Sequence, residues 1–270
     1  MLSGFGALEG QLLSWAQMTG TLCASNTQIM ESLRLNPIQC RKLLDRMNRR
    51  GTIIQLKRGL YLLPQKLPPG GKWQPSPEVA IWYYMTSLGA TWQETGPAAF
   101  NYYGLTEQVS NTTTVYNDKV SQTRKFGRLS VDFIKVAPAR LGEIVEIAGS
   151  KDAVEKRRIG SFARIVMDAV YDYNRFGTLP KAYEWIAERK ADKALIQSLV
   201  SCMIKSGNIA SCRRIGWLLD RLDVDEKLIT PIKNNLNASV YFIPADPAAP
   251  GKGRTNAVWN ITENYLPCRA

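Results

Sequence analysis

The sequence predicts an α+β chain in three parts: a small amino-terminal domain (1–64), a linker (65–77) and a larger mixed α/β domain (78–270). Three observations carry this reading. Residues 1–64 show three helical periodicities in succession, followed by two short β-branched or apolar runs. Residues 65–77 crowd Pro68, Pro69, Gly70, Gly71, Pro75 and Pro77 into one short interval, too rich in breakers for a regular element and semi-stiff because of its prolines. Beyond it, strands are expected in pairs and helices in runs, which favours α+β over a doubly wound sheet.

In the first part, Leu8, Leu12, Trp15 and Ala16 form a helical stripe over about 7–18, and a Thr/Gly turn follows. Ser25-Asn26-Thr27-Gln28 signals a second helix start, with Ile29 and Leu33 facing inward. The third helix is the best marked. Asn36 suits the N-cap, Pro37 the first helical position, Gln39 the third residue after the cap, and Gly51 the stop. Cys40, Leu43, Leu44 and Met47 repeat at i, i+3, i+4, i+7 and make one apolar face. At 100° per residue Ile38, Gln39, Lys42, Asp45, Arg46 and Arg49 fall on the other side. Thr52 to Leu56 and Leu60 to Leu63 then read as two strands joined by Lys57-Arg58-Gly59, whose glycine suits a left-handed turn position, and Pro64 ends the second.

Three helices followed by a hairpin is the order of a winged helix-turn-helix, in which the third helix enters the major groove and the hairpin tip meets the backbone or the minor groove. Residues Arg34 to Arg58 carry eight Lys or Arg and one acid, Asp45. The candidate DNA-binding residues are Asn36, Ile38, Gln39, Arg41, Lys42, Arg46, Arg49, Arg50, Lys57 and Arg58. Gln39 matches adenine edges, Arg or Lys guanine, and Ile38 a thymine methyl. Arg41, Arg50, Lys57 and Arg58 suit phosphates, which position rather than specify. Two blander readings stand beside this one: a charged helix face that is merely solvated, and a winged helix used for protein interaction.

The whole-chain balance agrees with an anionic partner. The formal charge is +12, and +7 of it remains when 1–64 is set aside, so the charge is concentrated at the third helix without being exclusive to it. The chain has no histidine, which removes the commonest general base and metal ligand. Five cysteines, Cys23, Cys40, Cys202, Cys212 and Cys268, form no CxxC pair, so neither zinc nor a disulfide framework is expected and a reducing cytoplasm is the default. No signal peptide or membrane-spanning run is expected.

In the larger domain, helices are expected over 78–88, 98–103, 161–176, 180–189, 192–206, 209–222 and 225–234. Strands are expected over 112–116, 130–136, 239–243 and 257–261, with a basic segment bearing Lys119, Arg124, Lys125 and Arg128 joining the first two. Enzyme signatures are scarce. Gly149-Ser150 and Gly160-Ser161 lack the acidic pair that a nucleotidyltransferase places about a dozen residues on; Asp168 and Asp172 are four apart on a helix. Glu188-Arg189-Lys190 matches a nuclease motif in letters but ends a helix, far in sequence from Asp132. Gly251-Lys252-Gly253-Arg254 reads as a surface loop, and no catalytic, cofactor or metal site is expected.

Several stretches in order resemble the AbiEi family, the antitoxin and repressor halves of type IV toxin–antitoxin (abortive infection) pairs. They are Lys57-Arg58-Gly59-Leu60-Tyr61-Leu62-Leu63-Pro64, Tyr102-Tyr103-Gly104-Leu105-Thr106 before a Thr-rich strand, Cys212-Arg213-Arg214-Ile215-Gly216-Trp217-Leu218-Leu219, and Asn256-Ala257-Val258-Trp259-Asn260. The resemblance covers nearly the whole chain. It implies a cytoplasmic repressor that binds an inverted-repeat operator of its own operon, acting in antiviral defence, with a carboxy-terminal domain that counters a nucleotidyltransferase-like toxin without a stable complex. It also suggests Arg213 and Arg214 for the antitoxic surface, against the plainer reading that they cap or solvate a helix. The alternative functional class is a DNA-targeting domain joined to a nuclease-like catalytic domain.

Overall fold

The computed structural model describes residues 6–149, 155–236 and 241–265. In chain order the elements are α1 (Ala7–Thr19), β1 (Cys23–Ser25), α2 (Asn26–Leu33), α3 (Pro37–Arg50), β2 (Ile54–Lys57), β3 (Leu60–Leu62), α4 (Pro77–Thr86), β4 (Trp92–Thr95), α5 (Pro97–Tyr102), β5 (Thr112–Asn117), β6 (Gln122–Phe126) and β7 (Leu129–Lys135). There follow a short 3-10 turn (Pro138–Arg140), β8 (Ile144–Ile147), β9 (Arg157–Gly160), α6 (Phe162–Tyr171), α7 (Tyr173–Phe176), α8 (Lys181–Ala187), α9 (Lys193–Ser206), α10 (Ile209–Arg221), α11 (Glu226–Asn234), β10 (Ile243–Pro244), β11 (Arg254–Asn256) and β12 (Ile261–Glu263). Helices and mainly antiparallel strands are mixed, as expected of an α+β chain. The chain divides into two compact units. Unit 1 is Met1–Thr91 with Lys119–Phe133 and Glu146–Arg157; unit 2 is Trp92–Asp118, Ile134–Val145 and Arg158–Ala270.

Unit 1 is organised by its first three helices. Leu12, Leu13 and Ala16 of α1, Ile29 of α2, and Cys40, Leu43, Leu44 and Met47 of α3 bury together with Ala24, Ile53, Tyr61 and Leu63. Each fully buried aliphatic side chain contributes about 1.5–3 kcal/mol, so the apolar stripe of α3 holds that helix far more firmly than its propensity would. β3 pairs antiparallel with β2 on one side and with β1 on the other, giving the order β1-β3-β2. β1 is only three residues long, too short to carry a period that the sequence could show. The tip between β2 and β3 is the pair Arg58-Gly59, Gly59 having φ 78° and a neighbouring bulge in β2.

Residues 65–77 contain no helix or strand until α4 begins, in keeping with their composition, yet they are tied down on unit 1. The Gln65 amide donates to the carbonyls of Ala16 (3.4 Å) and Thr21 (3.0 Å), Leu67 packs on the core, and the Trp73 N–H donates to Gly51 O at 2.8 Å. The compact unit therefore runs past the expected boundary at 64 and takes in α4 and the β6–β7 hairpin, where β6 replaces the expected basic connection.

Unit 2 contains β5 and β4 paired antiparallel, and β9 beside β4 with Glu94 opposite Ile159 in parallel. β4 (Trp-Gln-Glu-Thr) is buried at all four residues, so it shows no polar–apolar alternation. The helix expected over 161–176 is broken at Asp172 into α6 and α7. The break falls where the Asp172 carboxylate is taken by Arg140 (3.1 Å) and by the Tyr116 hydroxyl. α10 is capped reciprocally by Asn208 and Ser211. Gly216 on α10 is a position where only glycine fits: a Cβ there would meet the Trp259 ring at 2.0 Å. Trp259 is fully buried against it and donates to Asp220 at 2.9 Å. The expected strand 257–261 is shifted: 257–260 are a turn, and β11 and β12 flank it. Of the strand expected at 239–243, residues 239 and 240 lie outside the described residues, and β10 begins only at Ile243.

Candidate nucleic-acid interface

α3 is set in place by the local signals that predict it. Asn36 Oδ1 accepts from the Gln39 N–H (2.9 Å), Gln39 Oε1 accepts from the Asn36 N–H (3.1 Å), and Gly51 closes the helix in the left-handed region at φ 74°. The reciprocal cap has a consequence for recognition. Gln39 keeps its side-chain NH2 but has committed its oxygen, so a bidentate pairing with adenine would cost the cap. Asn36 and Gln39 are exposed, and here they serve first to start the helix.

With Cys40, Leu43, Leu44 and Met47 buried, the helix angle places Ile38, Lys42, Asp45 and Arg49 opposite the core. All four are exposed, Ile38 by 68%. The Arg49 Nε donates to the Asp45 carbonyl at 3.3 Å, which leaves its remaining guanidinium N–H groups for solvent or a ligand. Arg41 is exposed on the flank next to Asn48, whose side chain accepts from the Gln55 N–H at the base of the hairpin (3.0 Å). Arg58 is exposed at the hairpin tip.

Three of the predicted cations are employed elsewhere. Arg46 and Arg50 lie on the other flank of α3 and both pair with Glu9 of α1, Arg50 Nη1 at 3.1 Å from Glu9 Oε2. Glu9 is only 1% exposed and also accepts from the Gly6 N–H at 3.2 Å. The two arginines thus neutralise a buried carboxylate while keeping about half their side-chain surface in water, 47% and 53%. Lys57, expected on phosphate, is half-buried and donates through Nζ to the Ser87 carbonyl at 2.8 Å. The stalk of the hairpin is thereby fastened to the end of α4, and the Lys57 charge leaves the tip. Glu9 and Ser87 are sequence-distant partners, and a local pattern cannot reveal them.

Arg213 and Arg214 do not form a surface. They are 5% and 4% exposed; Arg213 donates to the Tyr241 carbonyl (3.3 Å), and Arg214 donates to the Pro244 carbonyl (3.2 Å) with its guanidinium over the Tyr173 ring. Their burial corrects the assignment to an antitoxic face, and also the plainer reading of a solvated helix. The acidic pair considered for metal chemistry is likewise structural. Asp168 is fully buried between Arg164 and Arg140, each at 3.1 Å, and Thr95 Oγ1 at 2.9 Å. Burial pushes its carboxyl above the usual range, and the two arginines oppose that shift. Glu188 pairs with its neighbour Arg189 at 3.6 Å. Among the described residues no group of three His, Cys, Asp or Glu side chains is placed to hold a metal ion, and no helix is long and apolar enough to cross a membrane.

The fold and this surface define a mixed α/β chain carrying a capped, basic third helix with an outward polar face. No family model and no curated protein matches the sequence. Among solved structures, that of the RV2827C protein from Mycobacterium tuberculosis is similar, with a TM-score of 0.63 and 12% identity over 95% of this chain and 91% of that one. At that identity the likeness speaks for the fold alone.

Proposed function

We propose that the three helices and hairpin of unit 1 are a winged helix-turn-helix that binds double-stranded DNA through the outward face of α3, and that the chain represses transcription of its own operon. The observation that carries this reading is the α3 face itself: Ile38, Lys42 and Arg49 exposed opposite a fully buried stripe, with Arg41 on one flank and Arg58 at the hairpin tip. That is the geometry in which one helix presents a few side chains to base edges while neighbouring cations meet phosphates. Residues 65–77 act in this reading as the connection to the carboxy-terminal part. The resemblance to the AbiEi family supplies the rest: a cytoplasmic antitoxin, itself not an enzyme, that neutralises a nucleotidyltransferase-like toxin without a stable complex.

Electrophoretic retardation of DNA from upstream of the gene tests the first half. The wild-type chain retards it intact, and Lys42→Ala with Arg49→Ala abolishes retardation while the circular dichroism spectrum is kept, because neither side chain supports the fold. Normal affinity in that variant refutes the placement of the face. Cleavage of the DNA on addition of magnesium favours a nuclease-like carboxy-terminal domain instead. Co-expression with the neighbouring toxin tests the second half, where growth must return without co-purification of the two chains.

A further inference from the structure

The carboxyl end of α3 does not stand alone on the surface of unit 1. Residues 65–77 return to it: the Trp73 N–H binds Gly51 O, and the Lys72 Cγ comes within 4.0 Å of where a Cβ on Gly51 would sit. Gln74, the next residue but one, then reaches the β6–β7 turn with both ends of its amide. Its Nε2 donates to Phe126 O at 2.8 Å, and its Oε1 accepts from the Arg128 N–H at 2.7 Å. Gly127, at φ 64°, packs so closely that a Cβ there would lie 3.2 Å from Ile54 Cδ1 at the start of β2. The turn is anchored from beneath by Phe126, which is fully buried and packs with Tyr84 and Phe133. Lys72 thus lies against the carboxyl end of α3, and the backbone of Gly127-Arg128 is tied to the same segment through Gln74 and lies beside the start of β2, although residues 72 and 128 are 56 apart in sequence. Both are exposed, and among the described residues neither side chain has an acidic partner.

The same hairpin shows which of its cations are free for a ligand on this side. Arg124 faces inward, with its guanidinium 4.8 Å from the Tyr84 ring centre and Nη1 donating to the Tyr84 hydroxyl at 3.2 Å. Lys125 alternates to the other strand face. Arg128 is exposed at the turn itself, where its N–H is held by Gln74.

We propose that the DNA-contacting surface of unit 1 continues past the carboxyl end of α3 onto Lys72 and Arg128, which meet the phosphate backbone of duplex DNA beyond the base pairs that α3 reaches. The inference rests on the DNA-binding reading and adds the footprint. Phosphate contacts of this kind are independent of sequence, and each raises the steepness of the salt dependence by about 0.9 in log K against log salt. Two contacts amount to about a twelvefold difference in affinity loss between roughly 50 and 200 mM salt.

The test is the binding of the full chain to a duplex of about 30 base pairs of arbitrary sequence, followed across salt concentration by fluorescence anisotropy. Lys72→Ala with Arg128→Ala is compared with a charge-matched control, Lys66→Ala with Lys125→Ala, whose lysines are both exposed, Lys125 on the opposite strand face of the same hairpin from Arg124. The expected result is a slope shallower by roughly two for the first pair and nearly unchanged for the control. If the first pair keeps the wild-type slope, or the control flattens as much, the extended footprint is overturned while the α3 reading stands. If the wild-type chain does not bind the duplex at low salt, both fall together.

Discussion

Replacing Arg46 and Arg50 together by alanine removes the two cations that face Glu9, whose carboxylate is 1% exposed in their presence, and among the described residues leaves it the Gly6 N–H as donor. Stranding a buried charge costs about 3–5 kcal/mol. The lower end applies here, because the arginines are half-exposed and their removal admits water to the site, so about 3 kcal/mol is expected. The reverse change is cheaper. Glu9→Gln leaves two arginines that turn to solvent and keeps an acceptor for Gly6, at a cost of about 1 kcal/mol. The triple variant Glu9→Gln, Arg46→Ala, Arg50→Ala should then recover about 2 kcal/mol relative to the arginine pair, since no charge remains buried. Amide hydrogen exchange resolved to the peptides of α1 and α3 reads this locally, which matters because two compact units need not unfold as one. A loss of 3 kcal/mol raises exchange of the slowest amides, such as those of Leu12 and Leu44, by about 150-fold. If the arginine pair stays within about 1 kcal/mol of wild type, or Glu9→Gln costs as much as the pair, the asymmetry argument is wrong. The experiment also guards the DNA assay: a variant containing Arg46→Ala that fails to bind DNA can do so by loosening α3.

Two further outcomes can be checked on unit 2. Gly216→Ala forces a methyl into space held by the buried Trp259 ring, and should cost about 1–3 kcal/mol or more, read as a lowered urea midpoint with an unchanged slope. Glu263 is a pH-dependent fastener between α10 and β12. Burial alone would raise its pKa, but the Asn256 and Trp217 hydrogen bonds and the Arg221 charge outweigh burial and hold it below the usual glutamate value of 4.5. A depressed carboxyl contributes its stability in full above that value and loses it as pH falls through the folded pKa. The acid limb of a stability–pH curve should therefore be shallower below about pH 4.5 in Glu263→Gln than in wild type.

What could be read from the sequence was local. Every signal that marks α3 (Asn36, Pro37, Gln39, the four-residue apolar stripe and Gly51) acts within one helix length, and each appears in the structure as expected. What escaped was set by partners far along the chain. The Arg46–Glu9 and Lys57–Ser87 links span 37 and 30 residues. Trp92 to Thr95 escaped for a different reason, since a strand covered on both faces has no period to detect. Pro and Gly keep 65–76 free of helix and strand, with Pro77 opening α4, but say nothing of the hydrogen bonds through Gln65, Trp73 and Gln74 that fasten the segment. The Gly216–Trp259 contact joins two of the stretches that carry the AbiEi resemblance, so those letters have a packing explanation independent of any antitoxic role.

Formal charge and available charge are different quantities, and the distinction bears on how this surface is judged. Arg34 to Arg58 carries eight cations by count. Arg46 and Arg50 neutralise Glu9, and Lys57 is spent on a backbone carbonyl. Arg34 is exposed at the turn between α2 and α3, Arg41, Lys42, Arg49 and Arg58 keep N–H groups for an anion on the outward face, flank and tip, and Lys72 and Arg128 come from later in the chain. The net result is a similar number of usable charges spread over a longer surface than the helix alone. A polyanion with regularly spaced phosphates rewards that spacing, because each separated contact releases its own counterions. A compact acidic peptide would gain little from cations spread beyond its length. On the proposed DNA-binding reading, the spread of these cations, more than their total charge, is what would set duplex DNA apart from a compact acidic peptide.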